Sequence, residues 1–140
     1  MKKILILALG ALAMISCAKQ PCDARHTCWA YDATIYELNT RQATPEGTFA
    51  AAEELLPEIK ESGVDIIWIM PIQKIGVLER KGTLGSYYAI TDYCEFNPEF
   101  GTRADFEHFL AKAHELGLKV ILDWVANHTA PDSEWTKNDG

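Results

Sequence analysis

The 140-residue sequence has no apolar run long enough to cross a membrane as a helix, since such a span takes roughly 20 residues. It also has no stripe of lysine and arginine: 20 acidic residues outnumber 13 basic ones, for a formal charge of −7. The electrostatic attraction that drives nucleic-acid binding is therefore missing, and nucleic acid is excluded as a partner. No segment repeats at a fixed period and none is of low complexity, which argues against solenoids and disordered linkers. Histidine is scarce, and the four cysteines fit no zinc spacing, with only His26 near Cys22 and Cys28. What is present is ordinary for a soluble globular protein: 48% of residues are apolar and 24% charged. The length suits one domain.

The first residues, MKKILILALGALAMISC, read as a secretory signal rather than as part of a fold. Lys2 and Lys3 form a positive start, followed by an apolar run of about a dozen residues. Small Ser16 precedes Cys17, which resembles a bacterial lipoprotein signal, although Met14 stands where leucine is usual. The resemblance implies lipidation of Cys17 and anchoring to a membrane, in the periplasm or at the cell surface. Ordinary cleavage nearby, giving a secreted protein, is the alternative. Residues 1–17 are thus the signal, 18–28 a tether and 29–140 the folded part. Export permits disulfides. With Cys17 lipidated, Cys22, Cys28 and Cys94 remain, an odd number, and either a Cys22–Cys28 loop or free thiols fit.

Beyond the tether, strand and helix patterns alternate. Residues 34–38 (TIYEL) are rich in β-branched and aromatic residues and predict a strand. Residues 48–62 predict a helix, with Ala52, Leu55, Leu56 and Ile59 on one face and Pro57 as a source of a kink. Gly63 would cap it. Residues 65–70 (DIIWIM) are almost continuously apolar, as for a parallel strand covered on both faces. A long loop is expected over 71–101. Thr102 and Asp105 then form a capping box for a helix carrying Phe106, Phe109, Leu110, Ala113 and Leu116 on one face, ended by Gly117. Residues 119–125 (KVILDWV) predict a third buried strand. The order β-α-β-loop-α-β opens an α/β fold with a parallel sheet. A dinucleotide-binding fold should carry a glycine cradle after its first strand. Asn39-Thr40-Arg41-Gln42 stands there instead. A (β/α)8 barrel needs no such loop and builds its site at the C-terminal ends of its strands.

Two stretches carry chemistry. The long loop holds Tyr87, Tyr88 and Tyr93, whose rings can stack on a sugar face but can equally just pack a loop down. The third strand ends in Asp123-Trp124-Val125-Ala126-Asn127-His128, so a carboxylate, an amide and an imidazole leave the sheet together. Asn127 offers an oxygen of the kind calcium takes, and a neutral His128 can donate to a hydroxyl. Equally, Asp123 can be a satisfied structural carboxylate and His128 the start of a loop.

Residues 123–128 resemble the D-x-V-x-N-H signature of glycoside hydrolase family 13, the α-amylase family. The segments 34–38, 63–71 and 88–102 resemble that family's first strand, second strand with its terminal proline, and Tyr-x-x-x-Asp-Tyr segment, in the same order. The resemblance covers about residues 29–135. It implies the N-terminal part of a (β/α)8 barrel, about its first three strands, truncated, and a retaining α-glycosidase acting on α-1,4-glucan oligo- or polysaccharides. It implies that Tyr88 stacks on the sugar at the cleavage point and that His128 hydrogen-bonds to it. Asp123 would hold the site from behind, with Asp92 in support, and Asp92 and Tyr93 would be mainly structural. Asn127 aligns with a calcium ligand of many members, calcium-free members included, so calcium stays open. The family's nucleophile and acid/base lie on later strands. None of Asp123, Asp132 or Glu134 matches them, so no catalytic carboxylate is expected in this chain, and the chain alone is expected to be inactive. Transglycosylation, α-glucosidase action and a non-catalytic glucan-binding role remain as alternatives.

The lipid anchor is tested by metabolic labelling with a radioactive fatty acid. Label is expected on the wild-type chain and not on Cys17→Ala; equal labelling, or none in either, removes the anchor.

Overall fold

The computed structural model describes residues 27–137, so the signal, Cys17 and Cys22 lie outside the described residues. The chain divides into units 1–32 and 33–140. Within the first, Cys28–Ala30 form one 3-10 turn and Cys28 is disulfide-bonded. Cys94, in the second, is a free and exposed thiol.

In the second unit, β1 (Ile35–Leu38), β2 (Ile66–Ile69) and β5 (Lys119–Leu122) form a parallel sheet in the order β1-β2-β5. The register pairs Leu38 with Ile69 and Ile69 with Leu122, so all three strands end at one edge. Strand alternation assigns Leu38, Ile67, Ile69 and Val120 to one face. That face packs against the helices, with Leu38, Ile67 and Ile69 almost fully buried.

The helix expected over 48–62 is two short ones, α2 (Phe49–Glu53) and α3 (Leu56–Glu61), after the single turn α1 (Thr40–Ala43). Pro57 lies in the first turn of α3, where its missing N–H matters least, and the break falls just before it. The capping box is present: Thr102 Oγ1 accepts from Asp105 N at 3.2 Å and Asp105 Oδ2 from Thr102 N at 2.7 Å, opening α4 (Arg103–Glu115). Gly63 and Gly117 end α3 and α4 with φ of 91° and 76°, a region that only glycine enters without penalty.

Two expectations are corrected. The segment 71–101 is not all loop: β3 (Gln73–Ile75) and β4 (Ile90–Phe96) pair antiparallel within it, with an irregular register. The third parallel strand is not buried, since Ile121 and Leu122 are 42% and 45% exposed. Among the described residues the helices cover only one face of the sheet, and Ile35, Trp68 and Ile121 stand exposed on the other.

Phe49, 1% exposed, ties the loop region to this core. Its ring meets Phe96, Phe100 and Phe106 edge-on at 6.1, 5.9 and 5.3 Å. Phe49→Ala should lower stability by about 3–5 kcal/mol, a large share of the roughly 5–15 typical of a domain. Urea denaturation checks this.

A second link joins α2 to α4: His108 Nδ1 lies 2.6 Å from Glu53 Oε2. That hydrogen bond, and the charge of Glu53, raise the His108 pKa above the ordinary imidazole value. A raised histidine pKa gives stability that is full below the unfolded value, near about 6.5, and is lost as pH rises through the folded one. His108→Gln should therefore lower the denaturation midpoint at about pH 5.5 and converge on wild type by about pH 9; His108 is exposed, so the shift should be small.

Candidate functional site

The common strand edge fixes where the loops start. Asp123 N donates to Ile69 O at 2.8 Å and Met70 N to Leu38 O at 3.0 Å, so the ladder continues one residue past each strand. Asp123 therefore leaves the sheet with its backbone held.

Tyr88, in the loop between β3 and β4, reaches it: its hydroxyl donates to Asp123 Oδ2 at 2.8 Å. This bond to a carboxylate, followed by burial and the negative charges of Asp123 and Glu37, pushes the Tyr88 pKa up to about 12. The phenol accordingly stays protonated, and stays a donor, at any physiological pH. The main chain of the same residue meets His128, whose Nε2 is 3.1 Å from Tyr88 O. Asn127 Nδ2 lies 3.3 Å from His128 Nδ1. An amide N–H facing Nδ1 makes that nitrogen the acceptor and leaves the proton on Nε2, where it points at the carbonyl. The structure thus brings Tyr88, Asp123, Asn127 and His128 into one hydrogen-bonded group.

Tyr93 holds the segment after Asp123 in shape. Its hydroxyl lies 2.6 Å from Val125 O and 2.8 Å from His128 O, one proton shared between two carbonyls. Its ring stacks on Trp135 at 4.7 Å, with planes 2° apart, and meets Trp124 at 5.3 Å. These three rings, with Asn127, His128 and Thr129, line a groove of about 280 Å³. Asp92 does not join this group: its Oδ1 accepts from Cys94 N at 2.8 Å, a local turn contact within β4.

Asp132 also has a scaffolding task. Its Oδ2 accepts from Val77 N at 2.8 Å and Leu78 N at 3.2 Å, and the Val77 bond foremost lowers its pKa. Gly76 leaves room for it, because a Cβ there would lie 2.2 Å from Asp132 Oδ1. As for calcium, Asn127 contributes a single amide oxygen. No group of three or more acidic, histidine or cysteine side chains gathers about a point among the described residues. Calcium takes six to eight oxygens, so the described residues do not by themselves fit it.

Sequence reasoning missed two contributors, Glu37 and Asn39, and gave Tyr87 no role beyond that of a loop ring. Glu37 lies on β1 within electrostatic reach of Tyr88. Asn39, directly after β1, donates from Nδ2 to Tyr87 Oη at 2.9 Å. Tyr87 packs its ring 5.4 Å from that of Tyr88. The available signal was position, since Asn39 starts at the strand end where such folds gather their sites.

Comparison with known proteins shows which family the chain resembles. Residues 26–140 match the family described as alpha amylase, catalytic domain. The chain is 31% identical to an α-glucosidase of Apis mellifera over 96% of its own length and 23% of the relative's. It is 37% identical to the α-amylase MalA of Haloarcula japonica over 81% of its length and 16% of that protein's. The crystal structure of an α-amylase from Lactobacillus plantarum matches with a TM-score of 0.74 and 50% identity, covering 76% of this chain and 26% of that one. The chain therefore spans about a quarter or less of the length of these relatives, and its sheet and helices are the N-terminal segment of their (β/α)8 barrel. It belongs to the α-amylase family of glycoside hydrolases.

Proposed function

We propose that this chain supplies the sugar-holding part of the active site of a retaining α-glycosidase that acts on α-1,4-glucans such as starch, glycogen or maltodextrins. The observation that carries the reading is the linked group Tyr88–Asp123–His128 at the C-terminal edge of the sheet. On this reading the Tyr88 ring stacks on a sugar face. Its hydroxyl is tied back to Asp123, which fixes the ring's angle. His128 presents Nε2–H to a sugar hydroxyl, which must displace the bond to Tyr88 O. Glu37 and Asp123 make the pocket acidic, and an uncharged glucan suits it where an anionic substrate would be repelled.

Retaining cleavage needs two carboxyl groups about 5 Å apart, one as nucleophile and one as acid/base. We place these beyond Gly140, so residues 18–140 alone should hold sugar without cutting it. A second reading, α-glucosidase action on short oligosaccharides, is supported by likeness to the Apis mellifera α-glucosidase.

The test is turnover of maltodextrin by the complete protein. His128→Ala should lower turnover by about 10²–10³, the usual loss on removing one positioned donor, with little change in the denaturation midpoint. Unchanged turnover would remove His128 from the site. Reducing sugar released by residues 18–140 alone would show that the chain carries its own cleaving groups.

A further inference from the structure

Arg41 joins three segments that are far apart in sequence. Its Nη1 donates to Gly85 O at 3.0 Å and its Nη2 to Leu84 O at 3.3 Å. The same Nη2 donates to Glu99 Oε2 at 2.9 Å, which supplies the countercharge. The flat guanidinium lies over two rings, its Cζ 5.1 Å from the centroid of Tyr87 and 5.9 Å from that of Phe100. Only 13% of the Arg41 side chain is exposed.

The two sets of partners of Arg41 differ in kind. Phe100 is 2% exposed and packs on Phe49, so it belongs to the core. Glu99 sits on the same 3-10 turn, Pro98–Phe100, where Asn97 Oδ1 accepts from Glu99 N at 3.1 Å. Arg41 itself lies in α1, next to buried Thr40 and three residues after β1 ends. That side is fixed. The other side is a loop whose apolar residues find little cover, with Val77, Leu78 and Leu84 being 71%, 56% and 55% exposed. Hydrophobic burial does not hold residues 84–87 in place, so polar contacts must, and Arg41 makes the two from outside the loop that reach its main chain at Leu84 and Gly85.

We propose that Arg41 is a positioning residue for the site: it clamps residues 84–87 against the core and thereby sets Tyr87 and Tyr88, so that the Tyr88 hydroxyl meets Asp123. The functional meaning of that clamp rests on the sugar-holding reading of Tyr88, but the clamp itself does not. Lysine cannot take its place. A tetrahedral ammonium does not span two carbonyls and a carboxylate in one plane while stacking on a ring.

The test is ¹⁹F spectroscopy of the full chain carrying 3-fluorotyrosine, without sugar, with Tyr87 and Tyr88 assigned from Tyr87→Phe and Tyr88→Phe. Arg41→Lys is expected to move both resonances toward that of a solvent-exposed tyrosine and to leave Tyr93 in place. In a pH titration, Tyr88 should then ionise at a lower pH than it does in the wild-type chain. Unmoved Tyr87 and Tyr88 overturn the proposal. So does an equal shift of Tyr93, which marks general loosening. Should Arg41→Lys fail to fold, Glu99→Gln removes only the countercharge; a smaller shift of the same two resonances supports the clamp, and none overturns it. A Tyr88→Ala enzyme with wild-type turnover would sink the sugar reading while leaving the spectra, and this inference, untouched.

Discussion

The in-register parallel pairing of β1, β2 and β5 is the constraint on which the rest depends. Burying Leu38, Ile67 and Ile69 against the helices chooses one face of the sheet, and choosing a face chooses the register. A slip of one residue would turn each of these side chains to the other face. It would also move Asp123 by about 3.3 Å along the strand, more than a hydrogen bond to Tyr88 tolerates. The chemistry at residues 123–128 is thus positioned by the burial of aliphatic side chains in the core.

Around that edge the polar groups satisfy one another with few formal charges. Tyr88 binds a carboxylate, Tyr93 binds two carbonyls, and His128 is held between an amide and a carbonyl. Hydroxyls and carbonyls orient a side chain without adding net charge, which keeps the field of Glu37 and Asp123 uncancelled. Arg41 is a cation near the site with a set place, and it is neutralised by Glu99. A neutral polyhydroxylated ligand is the kind that such a surface can bind without paying a large electrostatic penalty.

Much of this was legible in the sequence, and the misses have physical reasons. The capping box of Thr102 and Asp105 and the stops at Gly63 and Gly117 were readable because they are local: each depends on residues within one turn. Asp123 and His128 were readable as a cluster because both fall within the six residues that follow one strand. Tyr88 needed the resemblance, since composition does not distinguish a ring that stacks on sugar from one that packs a loop. Arg41 and Asn39 escaped because their partners lie about 43–58 and 48 residues away in sequence. The β3–β4 pair escaped because its irregular register leaves no clean alternation in the short run Gln73–Ile75. Residues 48–62 were read as one helix because the apolar spacing runs through the break, and only the backbone demand of Pro57 interrupts it.

One of the corrected expectations, a buried third strand, has the same origin as the site. Alternation along the strands puts Glu37, Trp68 and Ile121 in register on the face away from the helices, and Asp123 follows Ile121 by two. The face that carries Glu37 and Asp123 is thus the one left uncovered, and Trp68 and Ile121 are exposed on it for that reason. Parallel strands this apolar are built for cover on both sides. In the (β/α)8 barrel to which this segment belongs, that second cover is the barrel interior, filled by side chains from other strands. One face of each strand therefore supplies stability through the helices, and the other supplies an interior that opens on the site. The alternation along that strand is also what aims the carboxylate just after it, Asp123, at Tyr88.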